Sequence, residues 1–148
     1  MERLLALLHP LVIHFPIALL LAAAFLELVR HLKPAWNPAQ AIAWNLHIGT
    51  AGVLMSVATG WSRAGTMGFA PELKPVLWIH RWAGVATLAV TLLLLFFWWA
   101  EKHNSHMATP FRFTMFATVI LIGVTAHHGG LLVYGTDYYS DLAGKLIP

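Results

Sequence analysis

The sequence predicts an all-α integral membrane protein: a single four-helix bundle of up-down topology, with no soluble domain of its own. Three observations predict it. Of 148 residues, 59% are hydrophobic and only 10% are charged, against about 25% charged in an ordinary soluble domain. Mean hydropathy is +0.70, and a soluble chain of this size could not keep so much apolar surface from water. The apolar residues fall into four runs, each long enough for the about 20 residues that a ~30 Å hydrocarbon core requires.

The first span is predicted over residues 4–32. Pro10 and Pro16 remove backbone donors inside it, so a bend is expected there. Residues 1–8 have the alternative of lying along the surface as a short amphipathic turn. Met1-Glu2-Arg3 before an apolar run has the look of a signal peptide. His9, Pro10, His14 and Pro16 interrupt that run, however, and it continues to Val29, which fits a membrane span better. Arg30-His31-Leu32-Lys33-Pro34 closes it. The second span, 38–61, opens with Asn37-Pro38, a cap followed by proline in the first turn. A loop over 62–75 leads to the third span, 76–100, which ends in Phe96-Phe97-Trp98-Trp99. Glu101 to His106 form a polar hairpin, and the fourth span, 109–133, starts at Thr109-Pro110. The chain, 1–148, reads as one domain.

Four spans put both termini on one side of the membrane, called side one here. The two tight turns on side two carry Arg30, Lys33, Lys102 and Arg112. Side one carries Arg3, Arg63, Lys74, Arg81 and Lys145, spread over longer segments and mixed with Glu2, Glu72, Asp137 and Asp141. Short loops weigh most in the positive-inside rule. Side two is therefore expected in the cytoplasm, and the termini on the outer, periplasmic face of a cell inner membrane. Tryptophan gathers at both levels, Trp61, Trp78 and Trp82 near side one and Trp36, Trp98 and Trp99 near side two. That is the pattern of an aromatic belt.

Several functions are excluded or disfavoured. The pI of about 9.6 suits anionic lipid, but no Lys/Arg run resembles a nucleic-acid patch. There is no cysteine, which removes disulfides, thiol catalysis, cysteine-ligated iron–sulfur clusters and covalent c-type haem. Spans two to four have no acid at mid-depth, and Glu27 lies near the side-two end of span one. Proton relays and ion-coupled transporters usually show buried carboxylates. Hydrolase motifs are absent as well.

What remains unusual is the histidine content, nine against six acids. Polar groups at membrane depth are costly and usually mark function. At ~1.5 Å per residue, His14, His80 and His127 reach a similar level in the side-one half, with His128 beside His127. His9 lies nearer the surface, and His47 enters from side two towards mid-membrane. His31, His103 and His106 read as solvated turn residues. Residues four apart share a helix face. By that spacing Ala18, Gly84 and Gly123 lie one turn deeper than His14, His80 and His127, where a flat macrocycle would need missing side chains. This pattern suggests haem b, one or two, ligated by histidine pairs drawn from His9, His14, His80 and His127, with His47 and His128 as lesser candidates. His14 with His127 is the preferred pair. Arg81, Arg63 and Arg3 lie on the same side and are placed to meet propionates. Three other readings stay open: a quinone pocket among the tryptophans, copper or zinc held by histidine and methionine, and a non-redox anchor or assembly subunit whose histidines pack between helices.

The stretch His9-Pro10-Leu11-Val12-Ile13-His14-Phe15-Pro16-Ile17-Ala18 resembles the first-helix motif of a small four-helix membrane family, domain of unknown function 2231. His80-Arg81-Trp82-Ala83-Gly84 is similar to its third-helix motif. His127-His128-Gly129-Gly130-Leu131-Leu132-Val133-Tyr134-Gly135 is similar to its fourth-helix ending. The resemblance covers nearly the whole chain and carries over His9, His14, His80 and His127. Members of that family occur alone or joined to cytochrome c or Rieske domains. The resemblance therefore implies a membrane partner in electron transfer. The chain is expected to pass electrons between a quinone pool, or a membrane partner, and a redox protein on the outer face, such as a cytochrome c, a Rieske protein or a molybdenum oxidoreductase.

Overall fold

The computed structural model describes residues 2–138 and Leu142. The side chains of Glu2 and Arg3, together with Asp141 and Lys145, all assigned to side one above, lie outside the described residues. The described chain is helical throughout, without strands. In lipid no water satisfies backbone polar groups, so a helix, which bonds its own, is the form such apolar runs adopt. The helices are α1 (Glu2–Val12), α2 (His14–Leu32), α3 (Ala39–Thr66), α4 (Lys74–Glu101) and α5 (Ala108–Tyr134). Four stretches, Ala6–Leu32, Ala39–Thr66, Pro71–Glu101 and Ser105–Tyr134, are long and apolar enough to cross a bilayer.

The expected bend in the first span is a break at Ile13. Pro16 has no N–H to offer the Val12 carbonyl, and its ring crowds that carbonyl. Beyond the break, α1 packs chiefly on α3 rather than on α5. It is thus part of the bundle, not a surface turn. The second helix runs to Thr66, past the expected end at 61. Its extension is held by Arg63, whose Nη1 donates to the Ala6 carbonyl at 3.1 Å. Pro75 lies in the first turn of α4, where its missing N–H costs nothing, so that helix starts two residues early.

Packing runs α2 on α3, α3 on α4 and α4 on α5, and the sparser α2–α5 contact closes the ring. Antiparallel neighbours bring Gly60 and Gly129 to the His9 end, and Glu27, Glu101 and Arg112 together at the other. Close approach of α2 and α3 depends on Gly49 and Gly52. A Cβ on them would lie 2.9 Å from Leu20 Cγ and Pro16 Cβ, respectively. Small residues serve this role where lipid supplies no hydrophobic drive between helices.

The dense core occupies the middle and the Glu27 end: Leu20, Ala23, Ile42, Leu46, Leu94, Trp98, Phe111 and Met115 are buried. Buried threonines are interleaved with them. Thr87, Thr114 and Thr118 each donate to the carbonyl four residues back, and Thr91 to the one three back, so their hydroxyls are satisfied without a neighbour. An ion network closes this end. Glu27, only 4% exposed, accepts from Arg30 Nε at 2.6 Å and from Arg112 Nε at 2.9 Å. Arg30 also donates to Glu101 through Nη2, at 2.9 and 3.0 Å. Trp98 departs from the aromatic-belt expectation. It is buried at 4% exposure, beside Phe111 and under the Arg30 guanidinium, 5.4 Å from its ring. Trp36 and Trp99 do face outwards, as do Trp61, Trp78 and Trp82.

Candidate cofactor site between α1 and α4

A cavity of about 530 Å³ fills the His9 half of the bundle. Ligand pockets typically span about 300–1,000 Å³. Its deep wall is apolar, with Leu20, Val53, Val57 and Ile122. Its outer rim is polar and aromatic, with His14, Trp61, Arg63, Arg81 and Tyr134. The break at Ile13 matters here. By turning α1 onto α3, it leaves the mouth of the cavity between the α1–α2 junction and α5.

His9, on α1, and His80, on α4, face each other inside this cavity with ring centres 6.4 Å apart and planes at 80°. Both rings are fixed from behind. Thr59 gives its hydroxyl proton to the Met55 carbonyl, 2.8 Å away. At 3.1 Å from His9 Nδ1, the Thr59 oxygen is therefore the acceptor, and Nδ1 carries the proton. His80 Nδ1 lies 2.9 Å from the Thr125 carbonyl, which can only accept. Each imidazole thus holds its proton on Nδ1 and bares a lone pair at Nε2, the state a metal ligand needs.

Two glycines make room for these rings. A Cβ on Gly60 would come within 2.8 Å of His9 Cε1, and one on Gly129 within 3.1 Å of His80 Cε1. Neither glycine shares a helix with the histidine it accommodates, so the relation is invisible to same-face spacing. Of the small residues singled out by that spacing, Gly84 lines the cavity. Ala18 and Gly123 do not, and both are exposed on the bundle surface.

The remaining histidines are spread out. His14 is exposed at the cavity mouth. His127 is exposed, outside the cavity lining, and edge-on to His128 at 5.3 Å. The structure does not bring His14 and His127 face to face; the pair it brings together is His9 with His80. His128 and His47 each turn Nδ1 back to the carbonyl four residues earlier, Val124 and Ala43. Arg81 stacks its guanidinium 3.8 Å from the Trp61 ring centre, in a row with Trp82 and Trp78. Thr59, Thr125, Gly60 and the seat Gly129 provides for His80 went unread in the sequence. Their signal is contact between helices, which no single-helix pattern carries. Among the described residues no group of three or more His, Cys, Asp or Glu is placed to hold a metal ion.

Fold and cavity together define a small polytopic membrane protein with a ligand-sized chamber at one end of a four-helix bundle. The chain belongs to the predicted membrane protein family DUF2231, which it matches over residues 6–140. No match was found among curated proteins or among solved structures.

Proposed function

We propose that this protein is a b-type cytochrome-like subunit that holds one haem b between His9 and His80 and relays electrons in its half of the membrane. The observation that carries the reading is the opposed pair of Nδ1-protonated imidazoles. The two ring centres lie 6.4 Å apart, with planes at 80°, and these are the two residues that would hold the group.

The number of ligands favours haem over a bare ion. Structural zinc takes four protein ligands and catalytic zinc three, and copper sites are similarly rich. This chamber brings two imidazoles together, His9 and His80, with His14 apart at its mouth. A macrocycle brings four nitrogens of its own and needs two from the protein. Bound there, haem b supplies reversible one-electron transfer and asks no general acid or base of the chain. Thr59 and Thr125 hold the rings in one tautomer and orientation. Leu20, Val53, Val57 and Ile122 exclude water from the deep side, which helps set a redox potential. The Lys/Arg-bearing short turns favour a cytoplasmic position for the Glu27 end. The haem site would then lie towards the outer face, where a soluble redox partner would dock.

The test is a dithionite-reduced minus air-oxidised visible spectrum of the detergent-purified protein, with a pyridine haemochrome assay for stoichiometry. One haem b per chain is expected, lost in His9→Ala and in His80→Ala while the elution volume and helical circular dichroism persist. A colourless protein from haem-replete cells, or full haem retention in both variants, would overturn the reading.

A further inference from the structure

The mouth of the chamber lies between two stretches long and apolar enough to cross the membrane, Ala6–Leu32 and Ser105–Tyr134, and it carries an imidazole. Most lining residues exposed at the bundle surface lie on its two sides, Pro10 and His14 on one and Ala126, Val133 and Tyr134 on the other, with Trp61 of α3 exposed apart from them. The helices between which they sit, α1–α2 and α5, are the most sparsely packed neighbours of the ring. His14 lies within the stretch long and apolar enough to cross the membrane. No hydrogen bond engages it among the described residues. A polar ring left unsatisfied towards hydrocarbon is costly, so a ligand whose head group can hydrogen-bond is favoured beside His14.

We propose that this slot is a lateral binding site for a lipid-soluble quinone or quinol, whose head group enters from the bilayer and hydrogen-bonds to His14. The inference rests on the redox reading of the His9–His80 pair, which gives a membrane-dissolved electron carrier a reason to approach. A quinone head group fits on three counts. It carries carbonyl or hydroxyl oxygens for a single imidazole partner. It is flat enough to enter between two helices. Its isoprenoid tail stays in the lipid that the slot faces. A water-soluble ligand would have to cross the rim of Trp61, Arg63 and Arg81 instead.

The experiment titrates a short-chain ubiquinone into the purified protein in lipid nanodiscs. Quenching of tryptophan fluorescence is read, since Trp61 lines the chamber, and haem content is assayed in parallel. Saturable quenching is expected, weakened at least tenfold by His14→Leu and by Ala126→Trp, which fills the mouth. It should be unchanged in His47→Leu, which removes a lipid-facing imidazole away from the slot. Non-saturable quenching in the native protein would overturn the proposal, as would equal binding by the native protein, His14→Leu and Ala126→Trp. Haem present without saturable quinone binding defeats this inference alone. Saturable, His14-dependent binding in a protein without haem supports the slot and defeats the cytochrome reading.

Discussion

At the Glu27 end of the bundle, two guanidiniums meet two carboxylates across three helices, and aromatic rings fill the space around them. At the His9 end, Arg63 bonds a backbone carbonyl and Arg81 lies over an indole face. The space between those helices is hollow and lined with imidazoles and glycines. Both ends lie in the same apolar bundle and face the same cost for polar groups. One end cancels its charges internally, which fixes how the helices register. The other directs its polar groups into a chamber of ligand size. The contrast separates polar residues that tie the helices of a membrane bundle together from polar residues that line a cavity within it.

The largest effect expected from breaking the contrast is at Glu27. Glu27→Ala leaves Arg30 and Arg112 facing each other without their shared carboxylate. Removing one partner of a buried ion network costs about 3–5 kcal/mol, read as a shift in the SDS-unfolding midpoint. A variant as stable as the native protein would show that the network adds nothing.

The counterpart at the other end is Gly60→Val, which thrusts a branched side chain into the space of the His9 ring. Because Thr59 pins that ring, it cannot step aside without losing its bond. Haem affinity should fall roughly ten- to a hundredfold, the range seen when support for a metal ligand is lost, while the SDS midpoint moves little. Equal damage to stability would mean that the His9 end is core and not site.

A smaller change sharpens the same point. Thr59→Val removes only the acceptor behind His9, and about a tenfold loss of haem affinity is expected, with the α-band shifted or broadened as the ring loses its orientation. An identical spectrum and affinity would remove Thr59 from the site. Arg112→Gln should have the least effect. Its side chain is 39% exposed and Glu27 keeps Arg30, so about 1 kcal/mol or less is expected in the same unfolding assay.

Hydropathy made the four helices and their alternation legible, because the bilayer imposes one length and one form on every span. The break near Pro10 and Pro16 was legible too, since proline acts through the chain itself. Helix rotation was not. Leu4 to Leu32 is mostly apolar, and its pattern alone does not tell whether His9 or His14 faces inwards. The preferred pair in the sequence is His14 with His127, whereas the rings that the structure brings near each other are His9 and His80. Gly60 and Gly129 stood in plain view, yet their purpose depends on histidines from other helices. The partners Glu101 and Arg112 were likewise read as surface charge, because a contact across 71 or 85 residues leaves no local trace.

The break at Ile13 also bears on assembly. The helix that carries His9 has 11 residues and reaches roughly 16 Å, about half of a hydrocarbon core. The bilayer alone cannot hold it upright. What seats it are groups that emerge from the ribosome later: Arg63 on the Ala6 carbonyl, Thr59 on His9, and the gap left by Gly60. α1, synthesised before α3, is therefore fixed in place only after α3 has been inserted. Half of the imidazole pair does not exist until the bundle is well advanced, so a chain that has trapped a cofactor between His9 and His80 is one whose insertion has passed that point.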